Sequence, residues 1–551
     1  MTQINQKCRF SKVDFTIDEQ DQAFYRRINV PLPTLTPNER QRRRMSFRNE
    51  RHLYNRKCDL CQKQIISVYH NESPFTVYCN SCWWSDKWDA MQFAQEIDFS
   101  KPFFTQYKEL QLKVPRLALH TKNNENSEFT NHTESIKDCY LCVDTGYCRN
   151  VYYSKWLINC NDCMDCHNIE DSELCYEGMY LSKAYNSIYT FCSDSALDSA
   201  FLYFSRACKN SFMCSNAYQK QYYAYNKQLT KQEYEQFISK IDLGSYEQLQ
   251  KYQDQYIQLI KNSPKMSNLM DVCENCTGDT LYRCKNVFDS FEVIKSQDVR
   301  YCYDAGHLKD CYDVYESAFE CELQYDCHAC NRSKFVKFCN ISYDINNSEY
   351  CELSHNSSDL FGCISLRHKQ YVILNKQYTK EEYQTLKGKL IEHMRKTGEY
   401  GEFFPAQLAP FAYNETIAQE YYPLNSDQAK NMGYTWKEED TDYSYQGPIY
   451  DLPDNIKDTP DEVTKAILKC KTSGKLYKII PQELEFYRKM NLALPRESQH
   501  QRYLNRLQRQ HNRHLFDHQC AGCQAPLQTP HDPKQETVVY CSDCYVKLAR
   551  I

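Results

Sequence analysis

Eight cysteines fall into two sets with one spacing, C-x2-C-x17-C-x2-C. Cys58, Cys61, Cys79 and Cys82 lie near one end of the chain, and Cys520, Cys523, Cys541 and Cys544 near the other. Two close pairs of thiolates at this separation suit tetrahedral Zn²⁺, and four sulfurs leave no open coordination position, so two structural rather than catalytic ions are expected. The first pair of each set (CDLC, CAGC) reads as a tight turn that aims both sulfurs at one point. The stretch that follows in the first copy, IISVYHNESPFTVY, has turn residues flanked by β-branched and aromatic ones and reads as a hairpin. The second pair opens a helical segment, whose N-terminus favours thiolate. Turn, hairpin and ligand-bearing helix describe a treble-clef or zinc-ribbon module.

The two modules are copies. Residues 8–83 align with 470–545 at a constant offset of 462, with 22 of 76 positions identical, and an internal duplication is the simplest reading. Upstream of each thiolate set lies what looks like a ribbon with most ligands missing: Cys8, Ser11, Thr36 and Glu39 in one copy, Cys470, Ser473, Ser498 and Gln501 in the other. Thr36 and Glu39 make a capping box with Pro37 at the first helical position, so a metal-free remnant of the same shape is expected. The helix it starts, NERQRRRMSFRNERHLYNRK, carries Arg40, Arg42, Arg43, Arg44, Arg48 and Arg51. The second copy carries Arg502, Arg506, Arg509 and Arg513. In a chain of net charge -5 these are local basic patches beside zinc modules, a pairing suited to phosphate-backbone contact. A solvated helix face or a docking face for an acidic protein are the competing readings.

Between the modules the cysteines follow another rule. Those at 139, 142, 148, 160, 163, 166 and 175, and again those at 321, 327, 330, 339, 351 and 363, are separated by multiples of three, with Asn, Asp and Ser at neighbouring points. Such a triplet pattern is neither a heptad nor a two-residue alternation. It suggests a parallel β-solenoid of three-sided rungs, with small side chains stacked inside and Asn laddering along the axis. Two arrays end alike, in NKQLTKQEY and NKQYTKEEY, where T-x-x-E caps a closing helix. Asn or Ser often replaces Cys in the pattern, which favours packing thiols over further zinc or an iron–sulfur centre. Residues 83–115 read as helices with Trp83, Trp84 and Trp88 covering the first zinc module, and 398–468 as a Pro- and Tyr-rich irregular connector.

The fold class expected is mixed and β-rich: two treble-clef or zinc-ribbon modules flanking two Cys-rich parallel β-solenoid arrays, each closed by a helix. The boundaries follow the motifs: 1–118, degenerate ribbon, basic helix and zinc module; 119–245 and 246–397, the two arrays with their helices; 398–468, the connector; 469–551, the second module. With 551 residues, several domains are expected. No apolar run approaches the length of a membrane span, and MTQINQKCRFSK has no apolar core of a secretion signal. A cytoplasmic protein with reduced thiols follows, and the odd number of cysteines, 31, agrees with it.

The order RRRMSFRNERHLYNRKCDLC, WWSDKWD, DFSKPFFTQYKELQLKVPRLAL, the Cys pattern with NKQYTKEEY, GEFFPAQLAPFAYNE and LEFYRKMNLALP resembles an uncharacterised family of bacterial Cys-rich zinc-ribbon proteins, over nearly the whole chain. The resemblance implies cysteines at the positions of Ser11, Thr36 and Glu39 in relatives, hence a ribbon that has lost its metal here. It implies architecture and no reaction. Some relatives carry a CoA-transferase-like label, for which this chain has no nucleotide or carboxylate motif.

No nucleophile elbow, phosphate-binding lysine loop, HExxH or dinucleotide fingerprint occurs. A zinc-supported nuclease of the His–Asn–His kind would use His70-Asn71, but the second copy has Asp532-Pro533 there. The expectation is therefore a non-catalytic zinc protein that binds RNA, DNA or a ribonucleoprotein through its two basic modules. The alternative is a scaffold whose solenoid and zinc modules bind other proteins.

Overall fold

The computed structural model describes residues 3–549, apart from 318, 439–444, 446 and 536. The chain forms two compact units. The first gathers Met1–Leu119, Asn268–Glu439 and Arg513–Leu515; the second gathers His120–Ser267, Asp440–Asn512 and Phe516–Ile551. Each unit thus holds one solenoid array and one terminal module, with the pairing crossed. The N-terminal module belongs with the second array and the C-terminal module with the first.

The arrays are parallel β-solenoids, built on a 14-stranded sheet in the second unit and a 13-stranded sheet in the first. Strands pair at a repeat of 12 residues, as in Arg149↔Asn161 and Cys163↔Cys175. The backbone explains the triplet pattern. From Asn123 to Tyr225 every third residue has a positive φ near 50°, so each triplet has one outward residue, one left-handed residue and one inward residue. Twelve residues then make four left-handed turns per rung, and the three-sided rung expected from the sequence is corrected to a four-sided one. Asn and Asp tolerate this conformation best, which accounts for their abundance. They also ladder along the stack: Asn150 donates to Asp162 (3.0 Å), Asn186 to Asp198 (3.0 Å) and Asn286 to Asp298 (2.8 Å). In the second array the left-handed pair Phe319 and Glu320 interrupts the phase, and Lys309 pairs with Glu322, one residue past the repeat.

The inward slots take small side chains for a hydrogen-bonding reason as well as a steric one. The Cys160 thiol donates to the carbonyls of Ile158 (3.3 Å) and Ile169 (3.5 Å), and the Cys160 amide donates to Cys148 Sγ (3.2 Å). Ser187 Oγ repeats the donor role toward Tyr185 and Ala196, and Ser154 Oγ accepts from the Cys166 amide at 3.1 Å. A slot that must donate to a carbonyl and accept from the next rung's amide admits Ser or Cys; Val, Leu and Ile fill other slots of the same buried interior. All the cysteines are free thiols, and burial raises Cys139 to about 11 and Cys284 to about 12.

Helices Lys231–Ile238 and Lys380–Thr397 close the arrays, each started by the expected reciprocal cap, Thr230 with Glu233 and Thr379 with Glu382. Tyr234 and Tyr383 pack at matching places, 5.9 Å from Tyr222 and 5.8 Å from Tyr371. Such helices cover the last rung's edge. In the N-terminal module the basic helix is shorter than expected: it runs Pro37–Met45, ends on Ser46, and gives way to strand Tyr54–Lys57. Thr36 caps it, accepting from the Glu39 amide. Residues 83–115 hold helix Phe103–Lys113 and a short 3-10 turn; Trp83 and Trp88 are buried, whereas Trp84 is 44% exposed. The connector is irregular, with short turns and helices Ile417–Tyr421 and Ser426–Asn431. Among the described residues no helix is long and apolar enough to cross a membrane.

Candidate metal centres and the arginine interface

Each four-thiolate set is gathered by the same local structure. Antiparallel strands Tyr54–Lys57 and Gln64–Ser67 flank the CDLC turn, and Phe516–Gln519 and Pro526–Thr529 flank CAGC. The expected hairpin therefore lies around the first ligand pair and not between the pairs. Cys58 and Cys520 accept the turn's bond through their carbonyls, from the Gln62 and Gln524 amides at 2.9 Å each. Gln62 and Gln524 are left-handed, at φ 61° and 60°. The second pair sits at a helix start, Asn80–Trp83 in one module and Ser542–Ala549 in the other.

All four sulfurs of each set lie within 4.8 Å of one another. Cys61 and Cys79 Sγ are 3.9 Å apart, and Cys523 and Cys541 Sγ 3.8 Å. A Zn–S bond of about 2.3 Å in a tetrahedron requires an S···S distance of about 3.8 Å, so the donors fit zinc in number, type and spacing. Amides support the charge: Cys79 N donates to Cys58 Sγ and Cys541 N to Cys520 Sγ, both at 3.2 Å. The thiols themselves compete for protons. The Lys63 amide helps lower Cys61 to about 7, whereas burial and the neighbouring sulfurs push Cys82 up to about 12. A divalent cation ends that competition by holding every sulfur as thiolate. Zinc at these two sites is structural, since the shell is closed.

The upstream halves keep the shape without the ligands. Cys8 accepts from the Lys12 amide (3.1 Å) and Cys470 from the Gly474 amide (3.0 Å), with Lys12 and Gly474 left-handed, as in the metal turns. Thr36 and Ser498 are helix caps, the role that Cys79 has in the zinc site. A capping hydroxyl accepting an amide thus stands where a thiolate would face a metal.

The ten arginines expected to face phosphate lie elsewhere, and none of them is exposed. Arg40 donates to Asp313 at 2.9 Å, and Arg44 pairs with Asp313 and Asp326, all of them at most 2% exposed. Arg48 pairs with Glu50 and Glu316, Arg43 with Glu402, and Arg42 with Glu39. In the second unit Arg502 meets Asp165 (2.8 Å) and Glu483 (3.2 Å), Arg506 meets Asp165 and Glu177, and Arg509 meets Glu177. Arg513, which belongs to the first unit, pairs with Glu292 and Asp304 and lies over the Tyr421 ring. Arg51 is half-buried. The physical reason is Coulombic: burial opposes the charge of Arg44, but Asp326 and Asp313 outweigh it and hold its pKa above the ordinary value. Arg40, Arg44 and Arg48 clamp the N-terminal module to its array, and Arg502, Arg506 and Arg509 the C-terminal module to its own.

The clamp is built twice from matching positions. Arg40 and Arg502 each reach a solenoid aspartate, lie over a tyrosine (Tyr301 at 5.6 Å, Tyr153 at 5.3 Å), and donate to a carbonyl of their own module, Leu35 or Glu497. Each of those tyrosine hydroxyls donates to a module carboxylate, Asp21 or Glu483. The sequence reading missed the acidic partners. Asp165, Glu177, Glu292, Asp304, Asp313, Glu316 and Asp326 all occupy left-handed turn positions, and the twelve-residue spacing of Asp165 and Glu177, and of Glu292, Asp304 and Glu316, is the signal that could have found them. His70 is a lone histidine: it stacks edge-on against Tyr54, and burial and Lys437 lower its pKa.

A family model described as a probable treble clef zinc finger matches residues 513–549. No curated protein matches. Among solved structures, a putative acetyltransferase from Desulfovibrio desulfuricans G20 aligns at 8% identity over 52% of this chain and 84% of its own, with a TM-score of 0.11, too low to carry any argument.

Proposed function

We propose that this zinc-binding protein is a non-catalytic scaffold, in which structural zinc and arginine clamps hold the modules on two solenoids whose outward faces bind partner proteins. One observation carries the choice over nucleic-acid binding. Most of the guanidiniums that would meet phosphate are buried against the protein's own carboxylates, whereas phosphate contact needs them in solvent. The closed four-thiolate shells support the non-catalytic role, because neither offers an open position to a substrate. Free thiols throughout support a reducing, cytoplasmic setting. Crosslinking in the native host with mass-spectrometric mapping tests the reading. Partner crosslinks are expected on exposed array lysines such as Lys209, Lys285 and Lys334. Co-purifying nucleic acid, crosslinked at the modules and released steeply by salt, would overturn it and restore the ribonucleoprotein reading.

A further inference from the structure

The two copies of the module–array interface differ at several positions, and one group of these differences leaves an opening. In the first unit the Arg300 guanidinium fills the seam between array and module. It pairs with Asp18 (2.7 Å) and Asp21 (2.6 Å) and lies against the rings of Phe288 and Tyr301, 5.2 and 5.9 Å away. The flanking pair Arg27–Asp310, at 3.2 Å, corresponds to Lys489–Asp162 in the second unit, also at 3.2 Å, which fixes the alignment of the two seams. There Tyr152 stands for Arg300, Ile480 for Asp18, Glu483 for Asp21 and Tyr140 for Phe288. Glu483 faces Arg502 and Tyr153 instead.

With its internal cation missing, the second seam is an open cleft of about 620 Å³ between the array and helix Pro481–Met490. Aromatic walls remain in Tyr140, Tyr152 and Phe486. Carboxylates have been added: Asp138 lies where the first unit has Asn286, and Glu485 where it has Ala23. Counting Glu128 and Asp162, four acidic side chains line the cleft against one ammonium, Lys489. Acid in excess of its one internal counter-ion, Lys489, beside aromatic rings is complementary to a planar cation from outside, and in the sister seam carboxylates and rings of the same interface already hold a guanidinium.

We infer that this cleft takes an arginine side chain from a basic segment of a partner protein. The inference deepens the scaffold reading and rests on it. The test uses full-length, zinc-loaded protein and the fluorescence anisotropy of a labelled arginine-bearing Gly-Ser peptide, with a citrulline-bearing peptide and spermidine for comparison. The arginine peptide should bind at least about tenfold more tightly than the citrulline one, since loss of charge removes the carboxylate contacts. Tyr152→Arg, which supplies the cation found in the sister seam, should weaken peptide binding by about tenfold or more, and Asp138→Asn with Glu485→Ala should do the same, at unchanged zinc content and circular dichroism. Equal binding of the citrulline peptide, displacement by spermidine as effective as by the arginine peptide, or a Tyr152→Arg variant that binds like the parent would each overturn the assignment. If these fail while host crosslinks still fall on the arrays, the cleft assignment is lost and the scaffold stands; loss of the array crosslinks removes the scaffold itself.

Discussion

Arg44→Ala separates an internal clamp from a phosphate-binding surface. Arg44 is fully buried and shared between Asp313 and Asp326, which are at most 1% exposed. Truncating it strands the Asp326 carboxylate in a dry interface and leaves Asp313 with Arg40 alone, and breaking a buried pair from one side costs about 3–5 kcal/mol. Urea unfolding followed by tryptophan fluorescence reads mainly the first unit, which holds Trp83, Trp84, Trp88 and Trp436, against Trp156 alone in the second. The midpoint should fall at unchanged slope. Because the pair is shielded from solvent, the loss should persist in high salt, where exposed pairs are screened. Arg26→Ala, on the exposed side of helix Glu19–Arg27, should stay within about 0.5 kcal/mol of the parent. Asp326→Asn in the Arg44→Ala background should recover part of the loss, since it removes one stranded charge. A cost below about 1 kcal/mol for Arg44→Ala, the range of a surface pair, would refute the clamp.

Three further outcomes are expected. Metal analysis should find about two zinc ions per chain, falling to about one in Cys58→Ser with the second site intact. Inside the first array, Cys160→Ser should cost less than about 1.5 kcal/mol, because the hydroxyl keeps the bonds to Ile158 and Ile169, whereas Cys160→Leu should cost about 1–3 kcal/mol through overpacking; chemical denaturation measures both. Burial raises Glu483 from 4.5 to about 7, with Arg502 only partly opposing it. Its folded form holds the proton more tightly than the unfolded one, so this contribution to stability is full below about pH 4.5 and declines, by about 3 kcal/mol, as the pH rises to about 7. Glu483→Gln should flatten that limb in a pH series of urea melts.

The zinc sites were legible because their geometry is local: each pair of ligands sits in one turn or at one helix start, so spacing alone specifies them. The solenoid was legible in its period and not in its cross-section. A period of three reports residues per side, while the number of sides depends on how far the chain runs before Cys163 meets Cys175. That is a pairing register, carried by the backbone. The basic helix was read too long because its pattern of arginines continues past Met45. Tertiary contacts end it: Ser46 caps it, Arg48 turns to Glu50 and Glu316, and the Asn49 side chain holds the His52 backbone. The destination of the arginines was illegible for a related reason. A cluster of guanidiniums looks the same in sequence whether its anion is phosphate in solvent or an aspartate hundreds of residues away, as Asp313 is from Arg40.

The ligand-poor upstream halves and the buried arginines are two sides of one arrangement. In both modules the half without ligands carries the clamp: Thr36 starts the helix that bears Arg40 and Arg44, and Ser498 the helix that bears Arg502 and Arg506. The half with four thiolates bears none of the guanidiniums that meet these solenoid aspartates. A small fold with little core needs a crosslink, a metal or a partner surface to stay ordered. Here the downstream half has the metal, and the upstream half has a buried surface on an array, with cap hydrogen bonds where sulfur would have been. With docking supplying the order, the fold requires no metal ligand at Ser11, Thr36 and Glu39, and a hydroxyl or carboxylate is tolerated there. In the second unit's cleft Tyr152 and Ile480 stand for the cation Arg300 and its partner Asp18, and carboxylates line the seam from Asp138 and Glu485 instead, beside aromatic walls.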